Sequence, residues 1–163
     1  MQVLLRIALI SVVLTLVFDA AAQQTPAAAT PSQHTTQADA QEQQAIRNAL
    51  NSSTAEWNKG SLEGYMEIYW NSPDVTFGGG ASFTKGYQQI LDHYRRIYQS
   101  PGREMGKLDF PEINVNFLSA DTALVRGRWH LRLTTREPHG VFTLIMRKFP
   151  EGWKIIHDHS SGQ

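Results

Sequence analysis

The chain ends in a segment, Gly-Trp-Lys-Ile-Ile-His-Asp-His-Ser-Ser-Gly at 152–162, that has the residue pattern of a β-strand and yet carries two imidazoles around a carboxylate. A purely structural strand would usually carry Val, Ile or Thr at these positions. Because side chains alternate across a strand, His157 and His159 are expected on one face and Asp158 on the other. The segment therefore predicts a functional strand in which the acid and the two histidines serve different faces.

The first 22 residues have the features of a secretory signal peptide. One positive charge at Arg6 precedes an apolar run of about a dozen residues, and Ala20-Ala21-Ala22 supplies small residues for cleavage. The apolar run is shorter than the roughly 20 residues that span a bilayer. We therefore predict cleavage after Ala22, a periplasmic or secreted protein, and no stable membrane anchor in the mature chain.

Composition limits the partners and the cofactors. The chain has 163 residues, which suits one domain, and its 15 basic and 15 acidic residues cancel to a formal charge of zero. A neutral chain is a poor candidate for binding nucleic acid. Since it contains no cysteine, neither disulfides nor thiolate metal sites are available. A small molecule or another protein is the expected partner.

The N-terminal half predicts a flexible linker and three helices. Residues 23–38 are Gln, Thr, Ala, Pro and Ser with no large apolar side chain, which is typical of a linker. Asp39 is a plausible N-cap for a helix that ends at Lys59-Gly60, and Ser61 can cap a shorter one that carries Tyr65 and Tyr69. A third helix is predicted over 86–100.

The rest of the chain predicts strands. Residues 75–77 and 82–84 flank a glycine turn, and the apolar alternation of 108–117 changes phase at Pro111-Glu112, which indicates a bulge. Three further runs at 122–134, 141–149 and 153–159 predict an antiparallel meander. The order of elements predicts an α+β domain over 39–162, with the sheet curved around a helical layer.

That order, the closing segment and the preceding Val-Phe-Thr-Leu-Ile-Met-Arg-Lys strand resemble the nuclear-transport-factor-two-like superfamily, also called ketosteroid-isomerase-like or SnoaL-like. The end is most similar to small bacterial relatives of the association domain of calcium/calmodulin-dependent kinase II. The resemblance implies a cone-shaped domain, a cystatin-like roll in which a strongly curved antiparallel sheet encloses a pocket and its outer face often forms a homodimer.

The association domain places arginines in its pocket, and the resemblance implies that Arg128 is one of them. Leu144 and Ser160 stand where two others would be, so recognition of an acidic ligand is not supported. With Arg128 in the pocket, Arg128 and Asp158 would form a polar pair around a ligand. The alternation of Arg126, Arg128 and Arg132 with apolar residues also allows the opposite arrangement, in which the arginines face solvent.

Asp158 is the candidate catalytic residue. Burial among Phe142, Leu144 and Ile156 would raise its pKa and suit it to general acid or base work. Arg128, Trp57, Tyr65, Tyr94 and Phe142 are the candidate ligand-binding residues, because tyrosine hydroxyls in an apolar cavity can orient a ligand. The alternative is that the aromatic residues form ordinary core.

His157 and His159 have the spacing of a chelating pair, but only His93 and His130 could add an imidazole, so no metal is expected. No cofactor is implied. The expected function is binding of a small, partly apolar molecule. Two alternatives stay open: an isomerase, dehydratase or hydrolase that uses Asp158, and an assembly module without catalysis.

Overall fold

The computed structural model describes residues 37–163 and shows three helices and one six-stranded sheet in that part of the chain. The elements in chain order are α1 (Gln37–Asn58), α2 (Leu62–Met66), β1 (Thr76–Gly79), β2 (Ser82–Lys85), α3 (Tyr87–Tyr98), β3 (Lys107–Ser119), β4 (Thr122–Arg132), β5 (His139–Phe149) and β6 (Gly152–Gly162). The predicted signal peptide and the predicted linker up to residue 36 lie outside the described residues.

Local signals place the helix ends. Helix α1 begins at Gln37, so Asp39 lies in its first turn instead of capping it, and the last two residues of the predicted linker are helical. Gly60, at a φ of 85°, follows the end of α1 in the left-handed region that glycine adopts most easily. Ser61 caps α2 as predicted, and its Oγ accepts the Gly64 N–H at 3.1 Å. No helix in 37–163 is long and apolar enough to cross a membrane.

Tyr69 lies beyond α2, which is shorter than the sequence predicts. The segment that contains Tyr69 runs parallel to β6 as an isolated bridge to Ile155. Ile155 donates its N–H to the Ile68 carbonyl at 2.8 Å, and its carbonyl accepts the Trp70 N–H at 2.9 Å. These backbone hydrogen bonds fix Tyr69 beside the closing strand.

The sheet has the strand order β2-β1-β6-β5-β4-β3. The meander β3–β6 is antiparallel as predicted, as is the β1–β2 hairpin, but β1 pairs with β6 in parallel, so the sheet is mixed. The predicted bulge in β3 is confirmed by a register shift between Asp109 and Glu112. Further shifts lie between Phe117 and Ser119 of β3 and within β6.

In β6 one extra residue, Ile156, reverses the facing of the strand. Met146 pairs with Ile155, whereas its neighbour Ile145 pairs with His157, so Ile156 has no opposite residue. Ile155 and Asp158 are both buried although three positions separate them, which strict alternation would forbid. The bulge thus allows the apolar first half of β6 and the carboxylate of its second half to share the inner face of the sheet.

Helix α1 packs its apolar face, with Ile46, Leu50 and Trp57 buried, against that inner face. Glu42 holds the first half of α1 by accepting hydrogen bonds from Lys148 and Trp153 at 2.6 and 2.8 Å. Asn58 holds the last turn, because its side-chain amide pairs with the backbone of Leu108 at 2.9 and 2.8 Å, as a neighbouring strand would.

We predict that Gly127→Ala destabilises the domain by about 1–3 kcal/mol, the usual cost of overpacking. A Cβ at Gly127 would collide with the Glu112 carbonyl beside the β3 bulge and with the Phe142 ring. Chemical denaturation would measure the change, and Arg126→Ala, on the exposed face of the same strand, should stay within about 0.5 kcal/mol. Equal stability of Gly127→Ala and the parent would show that β3 can shift away.

Candidate functional site

A cavity of about 300 Å³ lies between the helices and the inner face of the sheet. Ten of the 23 residues that line it carry aromatic rings. Many of these rings meet edge to face: the Trp57 ring lies 4.9 Å from Tyr65 and 4.7 Å from Tyr98, at 73° and 78°. The aromatic lining residues are Trp57, Tyr65, Tyr69, Phe77, His93, Tyr94, Tyr98, Phe110, Trp129 and Phe142.

Asp158 is on the wall of this cavity and is only 4% exposed. Its position on β6 is opposite Leu144 of β5 on one side and Phe77 of β1 on the other. Ile155, rather than the expected Ile156, is the buried isoleucine of β6, because the bulge turns Ile156 away. The other two predicted neighbours of the carboxyl group, Phe142 and Leu144, line the cavity with it.

Two hydroxyl groups donate hydrogen bonds to the Asp158 carboxylate. Tyr69 Oη donates to Oδ2 at 2.6 Å, and Ser160 Oγ donates to Oδ1 at 2.8 Å. Tyr94 Oη lies 3.4 Å from Tyr69 Oη. Since the Tyr69 proton is engaged with Asp158, Tyr94 is the donor in that longer contact. The three residues Tyr94, Tyr69 and Asp158 thus form a relay of hydroxyl donors ending on a buried acid.

Burial dominates the protonation of this group. It raises the pKa of Asp158 to about 6, although the hydrogen bonds from Tyr69 and Ser160 and the nearby His159 oppose the rise. Burial, together with the Asp158 charge, also raises the pKa of Tyr65, Tyr69 and Tyr94 above the ordinary tyrosine value. The tyrosines are therefore protonated donors, and Asp158 is the group that titrates near neutral pH.

His93 of α3 adds a second titratable side chain to the cavity. Its ring lies 5.5 Å from Phe77 and 6.1 Å from Tyr94. Burial lowers its pKa, and Arg96 lowers it further, so the imidazole is neutral at neutral pH. The sequence pattern suggested His93 only as a possible metal ligand. The sequence indicates a cavity position for His93 only through its neighbour Tyr94, which is a candidate ligand-binding residue on the same predicted helix.

Arg128 corrects an expectation, because it lies on the opposite face of the sheet from Asp158. Val125, Gly127 and Leu131 of β4 are buried. The Arg128 side chain is 61% exposed, and its Nε bonds Glu112 at 3.3 Å. The expected Arg128–Asp158 pair is therefore wrong. Burial of the apolar set determined the facing of β4, as simple alternation predicts.

His157 and His159 face the outer side, as their alternation with Asp158 predicts. His157 Nδ1 shares a hydrogen bond with Thr76 Oγ1 of β1 at 2.7 Å, and burial lowers its pKa. The Phe83 ring, 70% exposed, lies 6.0 Å from His159. Across the described chain, no group of three or more His, Asp or Glu could hold a metal ion.

The other candidate ligand-binding residues, Trp57, Tyr65, Tyr94 and Phe142, all line the cavity together with Asp158. Their role in binding stays a prediction. Sequence reasoning did not select Tyr69, Ser160 or Trp129, which also line it. Tyr69 shares a helical spacing with Tyr65, and the family resemblance placed Ser160 at a pocket position without indicating that it donates to Asp158.

Comparison with known proteins assigns the family. The model of the SnoaL-like domain matches residues 46–163, so the chain belongs to the SnoaL-like domain family. Domains of this nuclear-transport-factor-two-like group often bind small ligands or act as enzymes. No curated protein matches the sequence.

Solved structures agree with this assignment. A nuclear-transport-factor-two-like protein of unknown function from Shewanella oneidensis MR-1 is 33% identical, with a TM-score of 0.68 over 73% of this chain and 98% of that one. A superfamily protein from Salmonella enterica is 18% identical, with a TM-score of 0.61 over 76% and 92%. A protein from Xanthomonas campestris, described as a calcium/calmodulin-dependent protein kinase II association domain, is 18% identical, with a TM-score of 0.58 over 72% and 85%. The last two show the fold alone, and together they confirm the resemblance and the α+β architecture.

We predict that Asp158→Asn stabilises the domain at pH 8. The folded state raises the pKa from the ordinary 3.8 to about 6, so it binds the proton more tightly than the unfolded state does. The free energy of unfolding therefore falls as pH rises from about 4 through about 6. The total decrease, which is complete above pH 6, is on the order of 2–3 kcal/mol. Thermal unfolding should show Asp158→Asn several degrees above the parent at pH 8.

The advantage of Asp158→Asn should shrink toward pH 4, where Asp158 is protonated in the folded parent. Asp74→Asn is the matched control, because Asp74 is an exposed carboxylate paired with Lys85 at 2.8 Å. A lower melting temperature for Asp158→Asn at pH 8 would mean that the Tyr69 and Ser160 hydrogen bonds outweigh desolvation.

Proposed function

We propose that this domain binds a small, largely apolar molecule in the aromatic cavity, with Asp158 as its main polar contact. The observation that supports the proposal is the cavity itself: about 300 Å³ of space beside a buried acid. Protein interiors are packed nearly without voids, so an empty space of this size inside a core lowers stability, because the side chains around it lose van der Waals contacts. Apolar walls with a few polar groups are typical of small-molecule sites.

The absence of cationic side chains restricts the site. Within residues 37–163, no lysine or arginine lines the cavity, and Leu144 and Ser160 occupy the wall where the association domain would place arginines. An anionic ligand would meet Asp158 without a counter-charge. The proposal is therefore for a neutral or cationic ligand.

Export of the mature domain is part of the proposal. It is supported by the signal-peptide pattern of residues 1–22, which would direct the cavity toward molecules outside the cytoplasm. A homodimer formed through the outer face of the sheet is proposed on the family resemblance. Exposed apolar side chains on that face, Phe83 and Val141, support it.

The test of ligand binding is a pair of substitutions on neighbouring residues of β5. The neutral fluorophore N-phenyl-1-naphthylamine should bind the purified domain saturably, with a rise in emission. Leu144→Trp, on the inner face opposite Asp158, should weaken binding more than about ten-fold by filling the cavity. Ile145→Trp is the matched control, since Ile145 does not line the cavity, and should change affinity less than about two-fold.

Circular dichroism would establish that both variants are folded, and Leu144→Phe offers a smaller intrusion should Leu144→Trp not fold. Equal fluorophore affinity in the parent and in a folded cavity-filling variant would contradict the proposed site.

The short Tyr69–Asp158 contact favours a second candidate, an enzyme that transfers protons with Asp158. A buried carboxyl group with a pKa of about 6 is a general base at neutral pH, and the Tyr69 hydroxyl group that donates to it holds it in position. Such a pairing would suit isomerase or dehydratase chemistry on a carbon acid.

We predict that a proton-transferring domain accelerates hydrogen–deuterium exchange at the α-carbons of 2-tetralone, an apolar ketone small enough for the cavity. Proton NMR in D₂O would measure the exchange, whose rate should rise as pH increases through about 6 because the ionised acid is the base. Asp158→Asn should abolish the acceleration, and Tyr69→Phe should reduce it by up to about 100-fold, because the hydrogen bond that positions the acid is lost. Exchange at the buffer rate in the parent would argue against the proton-transfer function and would not affect the proposal of ligand binding.

A further inference from the structure

The Asp158 carboxylate has no cationic partner in the part of the chain that the structure describes. The eight ion pairs found there join other residues, and all but one involve lysine or arginine. Buried acids are normally paired with a cation. Asp158 is surrounded instead by neutral donors and rings, so hydrogen bonds compensate most of its charge, and the nearby His159 adds the smallest contribution.

The hydrogen bonds leave acceptor capacity on the carboxylate. Its two oxygens offer about four lone-pair positions, and Tyr69 and Ser160 occupy one on each oxygen. Because Asp158 lines the cavity, a bound molecule can reach the remaining positions. A ligand donor, especially a charged one, would complete the coordination of the acid.

The aromatic walls of the cavity also favour a positively charged ligand. The faces of tyrosine, tryptophan and phenylalanine rings carry negative potential that attracts cations, and this attraction strengthens where water is excluded. Trp57, Tyr65 and Tyr94 meet one another at 63° to 79° and so present walls in different directions. Mutually inclined rings around an acid form the kind of aromatic cage that binds ammonium groups.

The groups that face Asp158 support this polarity at neutral pH. From α2 and the segment after it come Tyr65 and Tyr69, from α3 come His93 and Tyr94, and from β6 comes Ser160. His159, next to Asp158 on the outer face of the sheet, interacts with the acid only through its charge. Burial keeps His93 neutral and the tyrosines protonated, while Asp158, with a pKa of about 6, is mostly ionised at pH 7.5. The cavity therefore carries a net negative charge.

We propose that the cavity selects an organic ammonium ion, an aromatic or otherwise apolar amine whose charged nitrogen pairs with Asp158 while its hydrocarbon part packs against the rings. This inference rests on the proposed ligand-binding function and specifies the ligand class. The amine provides the cationic partner that the protein does not provide.

Three naphthalenes that differ in charge test the inference: 1-naphthylmethylamine, which is cationic, 1-naphthalenemethanol, which is neutral, and 1-naphthoate, which is anionic. Isothermal titration of the full mature chain at pH 7.5 should give the amine an affinity at least about ten-fold above that of the alcohol, with the carboxylate weakest. Asp158→Asn should lower the affinity for the amine to that for the alcohol. Asp74→Asn, a neutralised surface acid, should preserve the preference.

A pH series on the parent protein provides a test without any substitution. As pH falls from 7.5 to 5, Asp158 becomes protonated, so the amine should lose its affinity advantage over the alcohol, while binding of the alcohol changes little. Benzyltrimethylammonium, which cannot lose its charge, should follow the same profile.

The outcomes separate the two proposals. If the alcohol binds as well as the amine at pH 7.5 and Leu144→Trp prevents binding, the ammonium preference is wrong and the apolar cavity stands. If neither these compounds nor N-phenyl-1-naphthylamine binds, the proposed function fails, and the inference fails with it.

Discussion

The buried charge of Asp158 is the constraint on which the site depends. A carboxylate in an aromatic cavity is costly unless donors meet it, and the donors here come from two directions, Tyr69 beyond α2 and Ser160 two residues along the same strand. Tyr69 reaches the acid because its backbone segment pairs with Ile155. The same strand therefore holds the acid and fixes the hydroxyl group that stabilises it, so the polar site and the core around it are one packing unit.

The register of β6 decides which chemistry faces inward. Ile155 belongs to the core, and strict alternation would then have turned His157 and His159 into the cavity and Asp158 outward. The unpaired Ile156 reverses the phase and produces an acidic cavity on one face and an imidazole pair on the other. A single additional residue thus sets the charge of the site, which is a common use of bulges beside functional sites.

Arg128 shows how fold resemblance and site chemistry separate. The resemblance to the nuclear-transport-factor-two-like superfamily is confirmed over most of the chain, yet the arginine that it placed in the pocket lies outside and pairs with Glu112. Gly127, whose neighbours leave no room for a Cβ, holds the inner position beside Phe142. Family membership therefore predicted a cavity enclosed by the sheet. The burial pattern of β4 determined that this strand contributes apolar and aromatic side chains to the cavity wall and that Arg128 lies outside it.

The sequence by itself determined the helix ends at Gly60 and Ser61, the α+β order, the antiparallel meander and the bulge at Pro111-Glu112, because capping, alternation and turn signals are local. It also separated Asp158 from its two neighbouring histidines. Only the tertiary structure decided that Asp158 is on the cavity side, that Tyr69 donates to it and that β1 runs parallel to β6. These features depend on strand register and on contacts between residues up to 89 positions apart, and no local pattern of residues encodes such pairings.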